Sequence, residues 1–275
     1  SSLGFNQSYN NSLQDIEEVK AFGINPVSVM NPSSERMNTL RTTLHHGLFE
    51  NLDFNFKNGS ANTLIYEHGT VFEKKGNSLE DIDQTSNFSC LVHGNFYEQN
   101  VHFSAVENNF FLLKGIAVNI FETLTRAKVK FVEDKHSYCD VFYRIVDGKK
   151  NTVGSIGVVT DSFLNKLDIA YKTDVCVMDI NTSFFVEHFN HSIKVKDVVL
   201  YPVVNRDLNF KLDSGTNLGE VCSAMKSINQ SILQDVSPVD IYQSKEEGNK
   251  KNILFKLSFQ SVKKTLEDNE VNAVI

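Results

Sequence analysis

At 275 residues, with 41% hydrophobic and 22% charged side chains, the chain has an ordinary globular composition and length enough for two domains. Its net charge of −7 argues against a partner gripped mainly through phosphates, and the acid excess is uneven: 18 Lys/Arg against 24 Asp/Glu over residues 1–200, 9 against 10 over 200–275. The four cysteines (Cys90, Cys139, Cys176, Cys222) show no paired spacing, which excludes a disulfide scaffold and predicts reduced thiols in a cytoplasmic protein.

The chain opens SSLGFNQSYN, without Met, a basic segment or an apolar segment, and reads as an excised piece of a longer protein. Residues 5–13 predict a strand and QDIEEVKAF a charged turn or short helix; VSVMNP ends at an Asn-Pro turn. Leu44, Leu48, Phe49, Leu52 and Phe56 recur at helical spacing, predicting an amphipathic helix over 45–56 that ends near Asn58-Gly59. Strands are predicted at 62–67, 69–75 and 89–94. The longest helix is predicted over 107–124, with Phe110, Leu113, Ala117, Ile120, Phe121 and Leu124 along one side. That apolar segment is broken by Lys114 and Asn119 and is too short to span a bilayer, so no membrane association is expected. A short strand at 128–133, a hairpin of 140–146 with 152–159 around DGKKN, and a strand at 174–180 complete an α+β domain over residues 1–194.

Residues 195–275 follow another plan: strand 203–212, helix 218–228, strands 238–243 and 251–260, and a helix from 265. The order β-α-β-β-α is a ferredoxin-like split βαβ lacking its last strand; the chain stops where that strand is expected, which predicts an exposed sheet edge. Alternation sends Ile253, Phe255, Leu257 and Phe259 toward the helices, together with Val204, Leu208, Phe210 and Leu212. Asp207, Asn209, Lys211, Lys256 and Ser258 take the other side. Such a face is a platform for single-stranded RNA in some folds, but only Tyr242 offers an aromatic, and patterning alone favours a plain solvated face. Pro202 suits a strand entry, whereas Arg206 falls on the helix side and needs a carboxylate or an edge.

Pro202 opens PVVNRDL, which resembles the start of the ferredoxin-fold anticodon-binding domain; VDIYQSK, LFKLSFQ and KKTLEDNEVNAVI follow in that domain's order. Upstream, NPSSERMNTLRTTLHHGLFENLDFN, NTLIYEHGTVF, NFFLLKGIAVNIF and GSIGVV resemble the catalytic-like, class II synthetase-type domain of the β subunit of bacterial phenylalanine–tRNA ligases. The resemblance covers essentially the whole chain. It implies a heterotetrameric enzyme in which a partner α subunit activates phenylalanine with ATP and Mg²⁺, while this chain scaffolds that subunit and contacts the anticodon of tRNA(Phe). No cofactor is implied for this chain itself.

A working class II synthetase holds the ATP α-phosphate with an arginine of its second motif and uses a further arginine in its third. Here the second-motif strand reads TVFEKK, with Glu73 at the arginine position, and GSIGVVTDSFLNKL contains no arginine. No catalytic residue is therefore expected in this chain. Asn209, Lys211, Lys256 and Ser258 are the tRNA-contact candidates, from strand parity and the role the resemblance implies. The alternative reading is a non-catalytic synthetase-like RNA-binding or regulatory paralogue.

Other constellations read as structural. His188 and His191, three apart, lack a third ligand, and His136 with Cys139 is equally thin, so no metal is expected. His45 and His46 open a helix, where packing or capping is the ordinary role. Arg41 reads as core support, with an inter-subunit ion pair second. Gly154 and Gly157 read as a tight strand, since they are too sparse to cradle a phosphate.

Overall fold

The computed structural model describes residues 3–22, 25–76, 78–169, 173–190, 198–229, 231–242 and 249–275. The expected boundary at 194/195, His191 and the loop 243–248 lie outside them. The chain divides into two compact units, Ser1–Ser192 and Ile193–Ile275.

The larger unit opens with β1 (Asn6–Gln7), β2 (Leu13–Gln14), α1 (Ile16–Lys20), β3 (Val27–Ser28) and β4 (Thr39–Leu40). The strand expected over 5–13 is thus only these two short pieces, because the polar NQSYNNS run has no apolar alternation to bury. Next come α2 (His45–Lys57), β5 (Thr63–Lys74) and β6 (Ile82–His93). The strands expected at 62–67 and 69–75 are one continuous β5, paired residue for residue with β6 from Thr63↔His93 to Lys74↔Ile82. β7 (Asn95–Tyr97) and β8 (Val106–Glu107) form a small ribbon. Asn109 caps α3 (Phe110–Thr125) by accepting from the Leu112 amide. β9 (Lys130–Glu133), β10 (Cys139–Val146), β11 (Thr152–Val159), α4 (Asp161–Lys166), β12 (Cys176–Asn181) and α5 (Ser183–His188) complete the unit.

Its sheet runs β1-β5-β6-β12-β11-β10-β9, with β1 parallel to β5 and the other pairs antiparallel. Alternation gives the sheet two apolar faces. On one, Ile65, Leu91 and Val177 pack under Leu48, Phe49 and Leu52 of α2. On the other, Cys90, Val92, Ile156 and Met178 pack under Leu113, Ala117 and Phe121 of α3, and α5 brings Phe184 and Phe185 within 5.7 and 5.1 Å of Phe121. Gly154 and Gly157 permit close strand packing: a Cβ on Gly154 would stand 2.5 Å from the Asp179 carbonyl, and one on Gly157 2.9 Å from Val141's.

The smaller unit comprises β13 (Val204–Asp213), α6 (Leu218–Ile228), β14 (Leu233–Tyr242), β15 (Lys250–Phe259) and α7 (Asp268–Asn272), the ferredoxin-like order, with sheet order β13-β15-β14. Ile253, Phe255, Leu257 and Phe259 are buried beneath Leu218, Val221 and Met225 of α6 and Leu266 and Val271 near α7. Phe210 stays on that side, edge-on to Phe255, yet is partly exposed. Pro238 sits in β14, an outer strand of this sheet, beside a register shift, where its missing N–H costs no central ladder bond. The helix expected from 265 begins at Asp268, where Glu267 and Glu270 form a capping box.

Candidate functional site: an acidic cleft and an open sheet face

Along β5 and β6, the face under α2 changes character with distance from the helix. Ile65 and Leu91 are followed by Glu67 with Ser89, Gly69 with Asn87, Val71 with Thr85 and finally Glu73 with Asp83. The polar end of this series, with Tyr138, Ser155 and Asp179, lines a cleft of about 480 Å³. No lysine or arginine lines it among the described residues.

Asp179 at its floor accepts hydrogen bonds from Ser89 Oγ and, at 2.8 Å, from Asn87 Nδ2. Burial pushes its pKa above the ordinary carboxylate value, against the opposing pull of His45. His45 opens α2 and places Nδ1 2.8 Å from the Tyr138 hydroxyl; burial lowers its pKa and raises that of Tyr138. The lining offers neutral hydroxyl, amide and imidazole groups together with carboxylates. Phosphate oxygens set against Glu73, Asp83 and Asp179 would meet repulsion, so the residues present do not fit ATP.

Arg41 is close by but committed. Its side chain is 7% exposed, with Nη1 2.7 Å from Glu67 Oε1 and Nε donating to the Thr70 carbonyl at 2.7 Å. Arg144 lies on the same sheet face, in register with Ser155 and through it with Asp179. It turns away to Asp134 at 2.7 Å and to Thr152 at 3.2 Å.

His188 and His136 have identifiable structural partners. His188 stacks on Phe184 and places Nδ1 3.0 Å from its carbonyl; His136 stacks on Phe142, and Cys139 is buried. Sequence reading missed the group Glu18, His46 and Glu50, whose ligand-type atoms lie within 4.8 Å of one another. The two ring nitrogens face different carboxylates, Nε2 toward Glu18 at 3.1 Å and Nδ1 toward Glu50 at 3.7 Å, so the imidazole acts as a bridge between α1's neighbourhood and α2.

In the smaller unit Asn209 and Lys211 on β13 and Lys256 and Ser258 on β15 share the face opposite the buried phenylalanines. Lys256 is in register with Asp207 and with Ser237 of β14, and Lys211 with Asn252. Ser258 Oγ donates to Asn205 at 2.9 Å. Tyr242 is exposed and in register with Asn252. Arg206, on the other side, pairs with Asp268 at the start of α7, which supplies the carboxylate its position demanded.

Residues 1–182 match the family described as phenylalanyl tRNA synthetase beta chain CLM domain, and residues 200–275 match the ferredoxin-fold anticodon binding domain. The phenylalanine–tRNA ligase beta subunit of Shouchella clausii is 24% identical over 280 residues, covering 98% of this chain and 34% of that protein. Its counterpart in Lactococcus lactis is 26% identical over 279 residues, covering 100% and 34%. The chain thus spans about a third of the length of the curated relatives it matches. Among solved structures, pyrrolysyl-tRNA synthetase from Desulfitobacterium hafniense aligns with a TM-score of 0.52 at 11% identity, over 67% of this chain and 63% of that one; the likeness is one of fold.

Proposed function

Because the chain belongs to the phenylalanyl-tRNA synthetase β chain family, we propose that it is the part of a phenylalanine–tRNA ligase β subunit that scaffolds the catalytic α subunit and contacts the anticodon of tRNA(Phe). In this reading residues 1–194 form a catalytic-like domain without amino-acid activation and 195–275 form the anticodon-binding domain. The ligase uses ATP and Mg²⁺ on its α subunit, in the cytoplasm, where free thiols such as Cys90 and Cys176 stay reduced.

The observation that supports it is the cleft beside the strand that the resemblance equates with the second motif: it is lined by Glu73, Asp83 and Asp179, with no arginine or lysine among the described residues. Adenylyl transfer needs positive charge against developing negative charge, and this lining supplies the opposite sign. In this reading the buried Arg41–Glu67 pair ties β5 to the segment before α2, and Asn209, Lys211, Lys256 and Ser258, which share one sheet face, are the residues offered to RNA. Two lysines add phosphate contacts without a strongly basic patch, consistent with a module that works inside a larger tRNA interface.

Co-purification of a candidate α subunit with the full-length β subunit tests the scaffold role. A stable complex that charges tRNA with phenylalanine is expected. Full charging by the α subunit alone would refute the role.

A further inference from the structure

We propose that Glu18, His46 and Glu50 form a divalent-metal site of the zinc type where α1 meets α2, with His46 Nδ1 and Glu50 as ligands and Glu18 as the carboxylate that orients the imidazole. None of the three lines the acidic cleft, and the inference does not rest on the proposed function.

His46 and Glu50 stand four apart on α2, so their side chains share one helix face, and Glu18 approaches from α1. The imidazole is 7% exposed and held edge-on to Phe22, with ring centroids 5.7 Å apart, while both carboxylates are more than half exposed. The three line a cavity of about 300 Å³. Of the other charged groups on its walls, Asp53 is answered by Lys57 at 2.6 Å, Asp168 adds negative charge, and Lys166 makes no ion pair among the described residues. Within ion-pair distance, Glu18 and Glu50 therefore meet no cation among the described residues except what the imidazole itself supplies.

A neutral imidazole supplies too little, because it donates from one nitrogen only. Nε2 lies at hydrogen-bond distance from Glu18 Oε2, 3.1 Å, which leaves the Nδ1 lone pair turned toward Glu50 Oε2 at 3.7 Å. That gap is too long for a hydrogen bond, and Nδ1 is buried without a hydrogen-bond partner among the described residues. Two acceptors facing each other repel; a metal ion between them turns the contact attractive. With metal–ligand bonds of about 2.0–2.2 Å, a nitrogen–oxygen separation of 3.7 Å subtends roughly 120° at the ion, compatible with four-coordinate zinc. Glu50 is 62% exposed, so its carboxylate can move to admit the ion. Glu18, accepting from Nε2–H, fixes the tautomer that frees Nδ1, as an outer carboxylate does for a metal-bound histidine. Water fills the remaining positions. One imidazole with a carboxylate favours Zn²⁺ over Mg²⁺, which takes oxygen ligands and sheds its water reluctantly.

The probe is Zn²⁺, titrated calorimetrically into the intact protein containing this chain, free of nucleotide and RNA, with about 5 mM Mg²⁺ present to occupy plain carboxylate sites. Saturable binding with a Kd below about 50 µM is expected, lost or at least about 100-fold weaker in Glu50→Gln and about tenfold weaker in Glu18→Gln. Glu17→Gln, which alters a neighbouring carboxylate paired with Lys20, should bind as the wild type does. Because Glu18 and Glu50 are more than half exposed, their variants are expected to keep the metal-free unfolding midpoint. Zn²⁺ should raise that midpoint in the wild type but not in Glu50→Gln. Equal zinc affinity in the wild type and Glu50→Gln, or no saturable binding up to about 1 mM, overturns the inference. A protonated His46 bridging two glutamates, with no metal role, would give the second of these results. Loss of zinc binding on doubling the Mg²⁺ would mark a plain acidic cluster and overturn the inference as well.

Discussion

In the larger unit α2 covers one face of the sheet and α3 with α5 the other, whereas in the smaller unit α6 and α7 lie on one face and the opposite face carries Asp207, Asn209, Lys211, Lys256 and Ser258. Polar side chains therefore meet different environments. In the doubly covered sheet, Asp179, His45 and Arg41 are desolvated: the first two have perturbed pKa values and the third is locked to Glu67. In the singly covered sheet Lys256 and Asp207 remain exposed. The contrast teaches that the same alternation of strand residues yields an acidic cleft in one unit and a solvated polar face in the other.

The largest expected effect separates two ion pairs of similar chemistry. Arg41→Ala leaves the buried Glu67 carboxylate without a cation, held only by hydrogen bonds from Asn10, and is expected to destabilise the larger unit by about 3 kcal/mol in denaturant unfolding. Arg206→Ala removes a pair whose Asp268 is 81% exposed and is expected to cost no more than about 1 kcal/mol. Equal costs would erase the distinction between the units. Phe255→Ala, at the centre of the smaller core, is expected to cost about 3–5 kcal/mol and to lower the unfolding transition of that unit.

Acid sensitivity sharpens the comparison next. Burial lowers the pKa of His45, and also of His93 and His136, so the folded state binds fewer protons than the unfolded chain as pH falls through the ordinary histidine value of about 6.5. Stability is then full above that value and declines as pH falls below it, by up to about 1.4 kcal/mol per pH unit for one proton. Asp179, with its raised pKa, works in the opposite sense, since its ionisation costs stability as pH rises. His45→Gln should flatten the decline between pH 7 and pH 5, to within about half the wild-type slope, and Asp179→Asn should steepen it. Residues 201–275 contain no histidine, so the smaller unit's transition should hardly move in that window.

The smallest structural effect belongs to the open face. Lys211→Ala/Lys256→Ala is expected to change stability by no more than about 1 kcal/mol. In the reconstituted ligase it should weaken tRNA binding and make the salt dependence shallower by up to about two in log–log slope. Unchanged affinity and slope would remove both lysines from the interface.

Strong local periodicity was readable: α2, α3 and the alternation of β15 follow the apolar spacing directly. The part of β6 before Ser89, IDQTSNF, and the first half of β14 were not, because each mixes polar residues into positions set by neighbouring strands. α4 and α5, six residues each, are too short to show a helical period. The absence of arginine from the second- and third-motif segments was legible as sequence. The cleft itself was not, since Asp179 meets Ser89 and Asn87 about 90 residues away and His45 meets Tyr138 across 93, contacts that only sheet register creates.

The most direct test is a crystal structure of the complete assembly grown with ATP and Mg²⁺. Nucleotide on the α subunit and none between Glu73, Asp83 and Asp179, with Arg144 still on Asp134, is the expected result. Nucleotide seated in that cleft with Arg144 turned from Asp134 onto its phosphates would contradict the account.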